Sequence, residues 1–365
     1  MPRFIYNLVL LFMLMNTMMY VPAVLLQDRY DGAMTSVLAG AALGSAMLFL
    51  FLRLYRSYPG QGLPEIMAVR LPKWVVAPLI AALGLLWAYS GIQAVVGFTV
   101  LISRFITPDI QPFQLLVFTS FIVWIGATRS SKTVLLATEI LLILNVPIMA
   151  VIFFKAVGGD YMNWDAVRAV ANHYWNVPTF RGIAAASFVW SGIAPMAIMN
   201  RFSKPSDSVK YSYILPAAGL FLLLASLFIP VGYHGTEGVT KYIYIWITTS
   251  DALAMEFGFI ERVVFIFATA YLNLSLLYGI VTWHMGAELI KSCFSGRPPN
   301  LDEVRTPAFT NILCGLFVVC SFAYLSLSHE NYYFKEAERW LMVRLAFELL
   351  LCAGAVFLLR RKAGA

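Results

Sequence analysis

Long runs of apolar residues divide the sequence, and this pattern constrains the fold more than any other feature. An α-helix needs about 20 mostly apolar residues to cross the roughly 30 Å hydrocarbon core of a bilayer. A membrane β-barrel would instead show short alternating segments. We therefore predict about ten transmembrane helices, at residues 4–26, 33–54, 74–103, 112–127, 133–155, 181–200, 211–232, 261–290, 307–327 and 341–359.

The composition excludes the alternatives to a membrane protein. Of the 365 residues, 60% are hydrophobic and 12% are charged, whereas soluble proteins average roughly 45–50% and 25%. A soluble domain cannot bury that much apolar surface, and a disordered chain would be far more polar. The four cysteines show no metal-ligand spacing, and we predict no metal and no cofactor. The sequence thus predicts an all-α integral membrane protein, with residues 1–365 forming a single transmembrane domain.

The basic residues predict the orientation of the chain in the membrane. Short cytoplasmic loops collect Lys and Arg. With the N-terminus inside, most of the 26 Lys and Arg residues fall in the inner loops, and an odd number of spans would spoil this alternation. We predict that both termini are cytoplasmic. The same bias explains the net charge of +7, which therefore needs no nucleic-acid partner.

The first span is interrupted near its middle. Asn16 and Thr17 place polar side chains there, and Tyr20 and Val21 follow them, immediately before Pro22. Proline lacks an N–H group and clashes with the preceding turn, which frees backbone carbonyl groups. Free backbone groups at that depth are tolerated only where they face protein or a wet cavity.

The sixth span carries a second interruption, and the two positions correspond if the ten spans form two inverted sets of five. The polar, Gly- and Pro-containing stretch contains Ser187, Phe188, Val189, Trp190 and Ser191. A matched pair of interrupted helices points to a midplane binding site in secondary transporters. We accordingly predict repeat one at about 4–155 and repeat two at about 181–359. A kink that serves only packing remains the alternative for each helix alone.

Other polar groups within the spans are sparse. Trp87 and Gln93 in span three, and Ser275 and Tyr278 in span eight, could line the same cavity; hydrogen bonding between helices is the alternative. No Asp, Glu, Lys or Arg lies beside either interruption in the sequence. We therefore expect backbone groups and half-helix dipoles to hold the ligand, which suits a small zwitterion. Arg344 and Glu348 in span ten are four residues apart, which favours an ion pair within one helix.

Several short motifs, in order along the chain, resemble the B-subunit family of bacterial spore germinant receptors. This family comprises the GerAB-type spore germination permeases, which belong to the amino acid–polyamine–organocation transporter superfamily. The motifs are Asn16-Thr17-Met18, Tyr58-Pro59, Pro64-Glu65-Ile66, Arg70-Leu71-Pro72-Lys73-Trp74, Thr107-Pro108, Ser187-Phe188 and Phe259-Ile260-Glu261-Arg262.

The resemblance implies a LeuT-like fold of five plus five inverted helices, with helices one and six broken. It also implies a place in the spore inner membrane beside A-type and C-type receptor subunits, and a role in sensing a small nutrient such as an amino acid. Carried over by position, the pocket involves Tyr20 and Val21, Trp87, Val189 and Trp190, and Ser275 to Tyr278. The alternative is an amino-acid secondary transporter; an enzyme is not expected.

Overall fold

A computed structural model describes residues 2–159, 161–207, 209–253, 263–294, 307–327 and 329–363. The motif at 259–262 and the loop residues Arg297 and Arg305, which we assigned to the inner side, lie outside these ranges. The described elements are all helical. The α-helices are α1 Pro2–Asn16, α2 Tyr20–Gln27, α3 Ala33–Ser57, α4 Leu63–Ala68, α5 Lys73–Phe105, α6 Pro112–Ala127, α7 Ser131–Val157, α8 Trp164–Ala171, α9 Phe180–Ser187, α10 Met196–Met199, α11 Ile214–Gly238, α12 Ile245–Ala252, α13 Val263–Phe294, α14 Pro307–Leu327 and α15 Glu330–Ala363.

The helices agree with a protein that crosses the membrane many times. In the described part of the chain, eight helices are long and apolar enough to span a bilayer, and the bent pair α1 and α2 makes a ninth. Helix α6 coincides with the predicted span at 112–127. At 16 residues it is shorter than the helices counted as spans. The all-helical membrane fold is therefore confirmed, and the division into two repeats remains a prediction.

Helix α15 begins much earlier than the predicted start at residue 341. Its first turns carry charged residues, which lowered the apolar signal and moved the predicted boundary inward. Two of these residues, Glu336 and Arg339, form an ion pair with each other at 2.6 Å. The early start matters because it brings Ala337 and Trp340 into the protein core.

The first span is broken at Thr17–Met19, as the sequence predicted. The axes of α1 and α2 differ by 51°. The hydroxyl group of Thr17 donates to the carbonyl oxygens of Met13 at 3.0 Å and Leu14 at 3.1 Å. Met13 O also accepts from the Thr17 nitrogen, whereas the Met18 nitrogen bonds Met15 O and not Leu14 O, so the hydroxyl group replaces the bond that Leu14 O would have in a continuous helix. Pro22 lies in the first turn of α2, where a missing N–H group costs little.

The sixth span changes helix type in its middle but is not bent as the first span is. Helix α9 ends at Ser187, a 3-10 segment follows at Phe188–Ile193, and the short helix α10 begins after Pro195. A second 3-10 turn at Asn200–Phe202 ends the span. Residues Phe180–Phe202 form one span of 23 residues, and the backbone keeps helical dihedral angles at Phe188 and Ala194. The predicted interruption is therefore a tightly wound 3-10 stretch.

Small residues hold this span close to its neighbours. A Cβ atom added at Gly40 or Gly44 of α3 would lie 3.0 Å from a backbone atom of Ser187, from its nitrogen and its carbonyl oxygen respectively. The Trp190 ring lies between Gly44 and Gly219 of α11. Two glycines four residues apart allow such close helix packing in membranes.

A buried carboxylate joins the end of α2 to the start of α9. Asp28 is 3% exposed at its side chain. It accepts hydrogen bonds from Arg181 Nε at 3.0 Å and from Thr179 Oγ1 at 2.7 Å, and it forms an ion pair with Arg181 Nη2. The two interrupted spans are therefore tied together at one end by charge as well as by packing.

We expect Asp28→Asn to lower the free energy of unfolding by about 2 kcal/mol. A neutral amide replaces the charged acceptor of Arg181, and its single oxygen cannot accept from both Arg181 and Thr179 as the carboxylate does. Half-exposed Arg181 keeps a second partner in Glu338 at 3.5 Å, which holds the loss below that of a fully buried pair. Thermal unfolding in detergent measures the effect. Asp165→Asn, in an ion pair with both side chains exposed, is the control, and an equal loss there would contradict the prediction.

Two connections between the long helices also form helices. The connection at 156–180 contains α8, whose Val167 and Val170 are buried, as expected of an amphipathic helix. The segment at 236–257 contains α12, but its Trp246 is buried against Phe153 at 5.2 Å and does not lie at the surface. Residues 254–257 of that segment lie outside the described ranges.

Candidate functional site: the cavities beside the two helix breaks

The two breaks face each other and are joined by a hydrogen bond. Asn16, the last residue of α1, donates from Nδ2 to the carbonyl oxygen of Phe188 at 3.2 Å, and both residues are buried. Phe188 is the first residue of the 3-10 segment. The side chain of one interruption therefore satisfies the backbone of the other.

A small cavity lies beside this bond. We call it the break cavity, and it offers about 20 Å³ to the centres of water-sized spheres, which is room for roughly one water molecule. Six of the predicted site residues line it: Asn16, Tyr20, Val21, Gln93, Phe188 and Tyr278. The remaining lining residues are Met15, Met19, Ser90, Ala94, Ala337, Trp340 and Leu341.

The polar groups of the break cavity come mostly from α5 and α13. The hydroxyl groups of Ser90 and Tyr278 are 2.7 Å apart and share a hydrogen bond. Tyr20 donates its hydroxyl group to the carbonyl oxygen of Gln93 at 3.2 Å. The Gln93 Nε2 atom is buried without a hydrogen bond of good geometry, and the Tyr89 and Tyr324 hydroxyl groups lie within reach of this side chain. Because a poorly paired buried donor is costly, this amide is one group of the cavity that could bind a polar guest.

An aromatic cluster closes the break cavity on one side. The ring centroids of Phe188 and Trp340 are 5.1 Å apart, and Trp87 lies 6.1 Å from Phe188 and 5.7 Å from Trp340. Phe12 of α1 adds a fourth ring at 5.5 Å from Trp87. Edge-to-face arrangements of this kind are favourable and leave little space between the rings. The cluster therefore separates the break cavity from the space beyond it.

A second cavity, here called the Glu348 cavity, lies on the other side of Trp87. It offers about 30 Å³ to water-sized centres. Three more predicted residues, Trp87, Trp190 and Ser191, line it together with Glu348. The predicted site is therefore split into two small spaces. Neither space holds an amino acid in this conformation, so binding requires the helices around the breaks to move.

The expectation that no charged residue lies beside an interruption is wrong. Arg344 and Glu348 form the expected ion pair within α15, at 2.7 Å, but both side chains also reach the sixth span. Arg344 Nη1 donates to Ser191 Oγ at 3.0 Å, and Nη2 donates to Ser187 Oγ at 3.1 Å. Nη2 also donates to the carbonyl oxygen of Ala184. The four-residue spacing correctly predicted an ion pair within one helix. It could not show that this pair faces the sixth span.

The other predicted residues line neither cavity. Thr17 is turned back onto its own helix, and its carbonyl oxygen accepts from Ser226. Ser275 donates to the Met15 sulfur at 3.6 Å. Ser187 donates to the carbonyl oxygen of Ala184 at 3.1 Å, and Val189 is buried in the core. These four positions support the breaks and do not face an open space.

Several of the site residues that the sequence analysis missed come from α15. Ala337, Trp340 and Leu341 complete the break cavity, and Arg344 and Glu348 continue the same face. A signal was present, since charged residues inside a membrane span are costly and commonly mark functional sites. In the described part of the chain, no three His, Cys, Asp or Glu residues lie close enough together to hold a metal ion.

These observations define a helical membrane protein with two interrupted spans around small cavities. Residues 1–329 match the model of the spore permease family, described as spore germination protein. The chain therefore belongs to the family of spore germination proteins. This membership agrees with the membrane permease class and the non-enzymatic function that the resemblance implies.

Comparison with curated proteins finds no match, whereas solved structures do match. One is a nucleobase-cation-symport-1 family transporter in a closed conformation with bromovinylhydantoin bound. It is 12% identical with a TM-score of 0.41, over 96% of this chain and 75% of that one. Another is a Na⁺-coupled sialic acid symporter in a substrate-bound outward-open state. It is 14% identical with a TM-score of 0.44, over 95% of this chain and 82% of that one.

Proposed function

We propose that this protein is the membrane-embedded subunit of a spore germinant receptor that binds a small nutrient, such as an amino acid, between its two interrupted helices. The observation that carries the proposal is the break cavity, whose lining combines the buried Gln93 amide with the hydrogen-bonded pair Asn16 and Phe188. Family membership supports a role in germination. The nutrient shifts the population from the closed arrangement to one in which the breaks are separated.

The signal leaves through partner subunits in this proposal. A- and C-type germinant receptor subunits are the partners, the spore inner membrane is the location, and both termini face the inner side. Co-expression of this chain with those subunits, followed by purification through a tag on this chain, tests the assembly. Recovery of this chain without either subunit, under conditions that preserve the membrane complex, would count against a receptor.

Gln93→Leu tests the nutrient site without disturbing the fold. The substitution preserves size and removes a donor that makes no hydrogen bond of good geometry to the protein, so we expect the thermal unfolding midpoint to stay within about 2 °C of the parent. A bound nutrient loses a hydrogen bond, so the concentration that gives a half-maximal germination response should rise roughly tenfold. Spores that carry the variant in place of the parent gene provide the measurement.

Gln114→Leu is the matched control, because Gln114 is exposed on α6. It should leave the response unchanged. Spores that lack the gene should lose the response to one nutrient of a panel, which identifies the ligand to use. An unaltered response of Gln93→Leu spores to that nutrient would rule out binding at the break cavity.

Amino-acid transport is the second candidate. The observation that favours it is the pair of cavities on opposite sides of one aromatic cluster, which is the arrangement of a closed passage. Uptake of labelled amino acid into vesicles containing this chain alone tests it. Concentrative uptake without partner subunits favours a carrier, and binding without uptake favours the receptor.

A further inference from the structure

Several oxygen acceptors lie where α9 passes into the 3-10 segment, and together they would attract a positive charge. The backbone stays helical across this junction, so the attraction comes from the individual oxygen atoms. In transporters with broken helices, oxygen atoms at the interruption coordinate the coupling cation. Here the last turn of α9 contains Ala184 and Ser187, and Ser191 follows in the 3-10 segment.

Those oxygen atoms are already occupied by the protein's own cation. The guanidinium group of Arg344 donates to Ala184 O, Ser187 Oγ and Ser191 Oγ, and the residue is 0% exposed. Its carbon atom lies 5.1 Å from the centre of the Phe188 ring, so a cation–π contact adds to the attraction. A mobile cation does not fit beside this group, because the same acceptors would have to serve both charges.

Glu348 completes the arrangement as a resident anion. Its Oε2 atom accepts from Arg344 Nη1 at 2.7 Å and from Ser191 Oγ at 3.4 Å. The cluster of Arg344, Glu348, Ser187 and Ser191 therefore carries balanced charge without any ion from solution.

We propose that Arg344 is a resident cation that replaces a mobile coupling cation at the sixth-span break, so that the protein holds this break together without sodium. The inference rests on the proposed function for its role in ligand binding. It predicts that nutrient binding is uncoupled from a sodium gradient. Arg344 acts here as a positioning residue for the break.

The test measures the thermal unfolding midpoint of the purified full-length chain in NaCl, KCl and choline chloride at equal ionic strength. For the parent protein, the three midpoints should agree within about 1 °C, because we expect no specific ion binding. An ion that bound only the folded state would raise the unfolding midpoint in the salt that contains it. For Arg344→Gln, the midpoint should fall by about 5 °C or more in choline. Sodium or potassium should restore part of that loss, because the emptied acceptors and Glu348 can then bind a small cation.

Arg344→Lys keeps the charge and should show a lower midpoint with no preference among the salts. Arg339→Gln, on the exposed face of the same helix, is the matched control and should show neither effect. A sodium-dependent midpoint in the parent would overturn the proposal, and so would an equal loss in all three salts for Arg344→Gln. If Arg344→Gln yields no folded protein, the parent series and Arg344→Lys decide. No nutrient is present in the unfolding measurements. Their result therefore does not depend on whether the proposed nutrient binding is correct.

Discussion

Gly192→Ala should cost about 3 kcal/mol of stability or more, because the new methyl group has no space. An added Cβ atom would lie 2.5 Å from the Val9 Cα atom and 2.8 Å from the Leu8 carbonyl oxygen. Both are backbone atoms of α1, so no side-chain rotation relieves the contact. The 3-10 segment must move away from α1, which should weaken the Asn16–Phe188 bond. Thermal unfolding and the germination response of variant spores should both be impaired.

Gly315→Ala provides the control for helix composition. Nothing lies within 4 Å of a Cβ atom at Gly315 in α14, and alanine favours a helix over glycine by about 1 kcal/mol. This variant should be unchanged or slightly more stable. A Gly192→Ala protein with parental stability and response would show that the two breaks need not touch.

The sequence predicted the break in the first span and the irregular stretch in the sixth because their cause is local. Proline, glycine and small polar residues weaken a helix wherever they occur in a long apolar run, so positions 16–22 and 187–195 could be recognised without knowledge of the fold. The same local reasoning brought six predicted residues to the break cavity. It could not show that Thr17 and Ser275 turn toward backbone or sulfur atoms, because that depends on how neighbouring helices are rotated.

Helix α15 shows where local reasoning ends. Its charged first turns hid its true start at Glu330, and Trp340 was therefore left outside the predicted span. The four-residue spacing of Arg344 and Glu348 is equally compatible with an exposed pair and with a buried cluster. Only the packing of α15 against α9 shows that Arg344 reaches three oxygen atoms of the sixth span.

This packing also changes what the break can offer a ligand. The sequence predicted free carbonyl groups that would meet the ammonium group of a zwitterion. Ala184 O accepts from Arg344, and Phe188 O accepts from Asn16. In the closed conformation the protein therefore satisfies these groups itself. A ligand that needs them must compete with two internal donors, which favours a coupled change of both breaks over simple insertion.

Glu65→Ala should lower the free energy of unfolding by about 3 kcal/mol, because it leaves a buried arginine without its counter-charge. Arg201, in the 3-10 turn that ends span six, is 4% exposed at its side chain. Its Nη2 and Nε atoms donate to the two carboxylate oxygens of Glu65, at 2.7 and 3.2 Å. Glu65 also accepts from the Gly62 nitrogen at 2.7 Å, which starts α4. Thermal unfolding in detergent measures the loss.

A double-mutant cycle separates the ion pair from its surroundings. Arg201→Met alone removes the buried charge and leaves a half-exposed carboxylate that water can reach. The double variant should therefore be more stable than Glu65→Ala alone, with a coupling energy of about 1 kcal/mol or more. Asp165→Ala breaks an exposed pair and should cost less than about 1 kcal/mol.

The pair also bears on signalling, because it fixes the end of the sixth span to the loop between α3 and α5. Asn200, beside Arg201, donates from Nδ2 to the carbonyl oxygens of Tyr58 at 2.8 Å and Gln61 at 2.7 Å in the same loop. If this contact holds the closed state, Glu65→Ala spores should germinate at lower nutrient concentrations or without nutrient, provided the protein is still present at the parental level. A destabilised variant with an unchanged nutrient threshold would restrict the pair to a structural role.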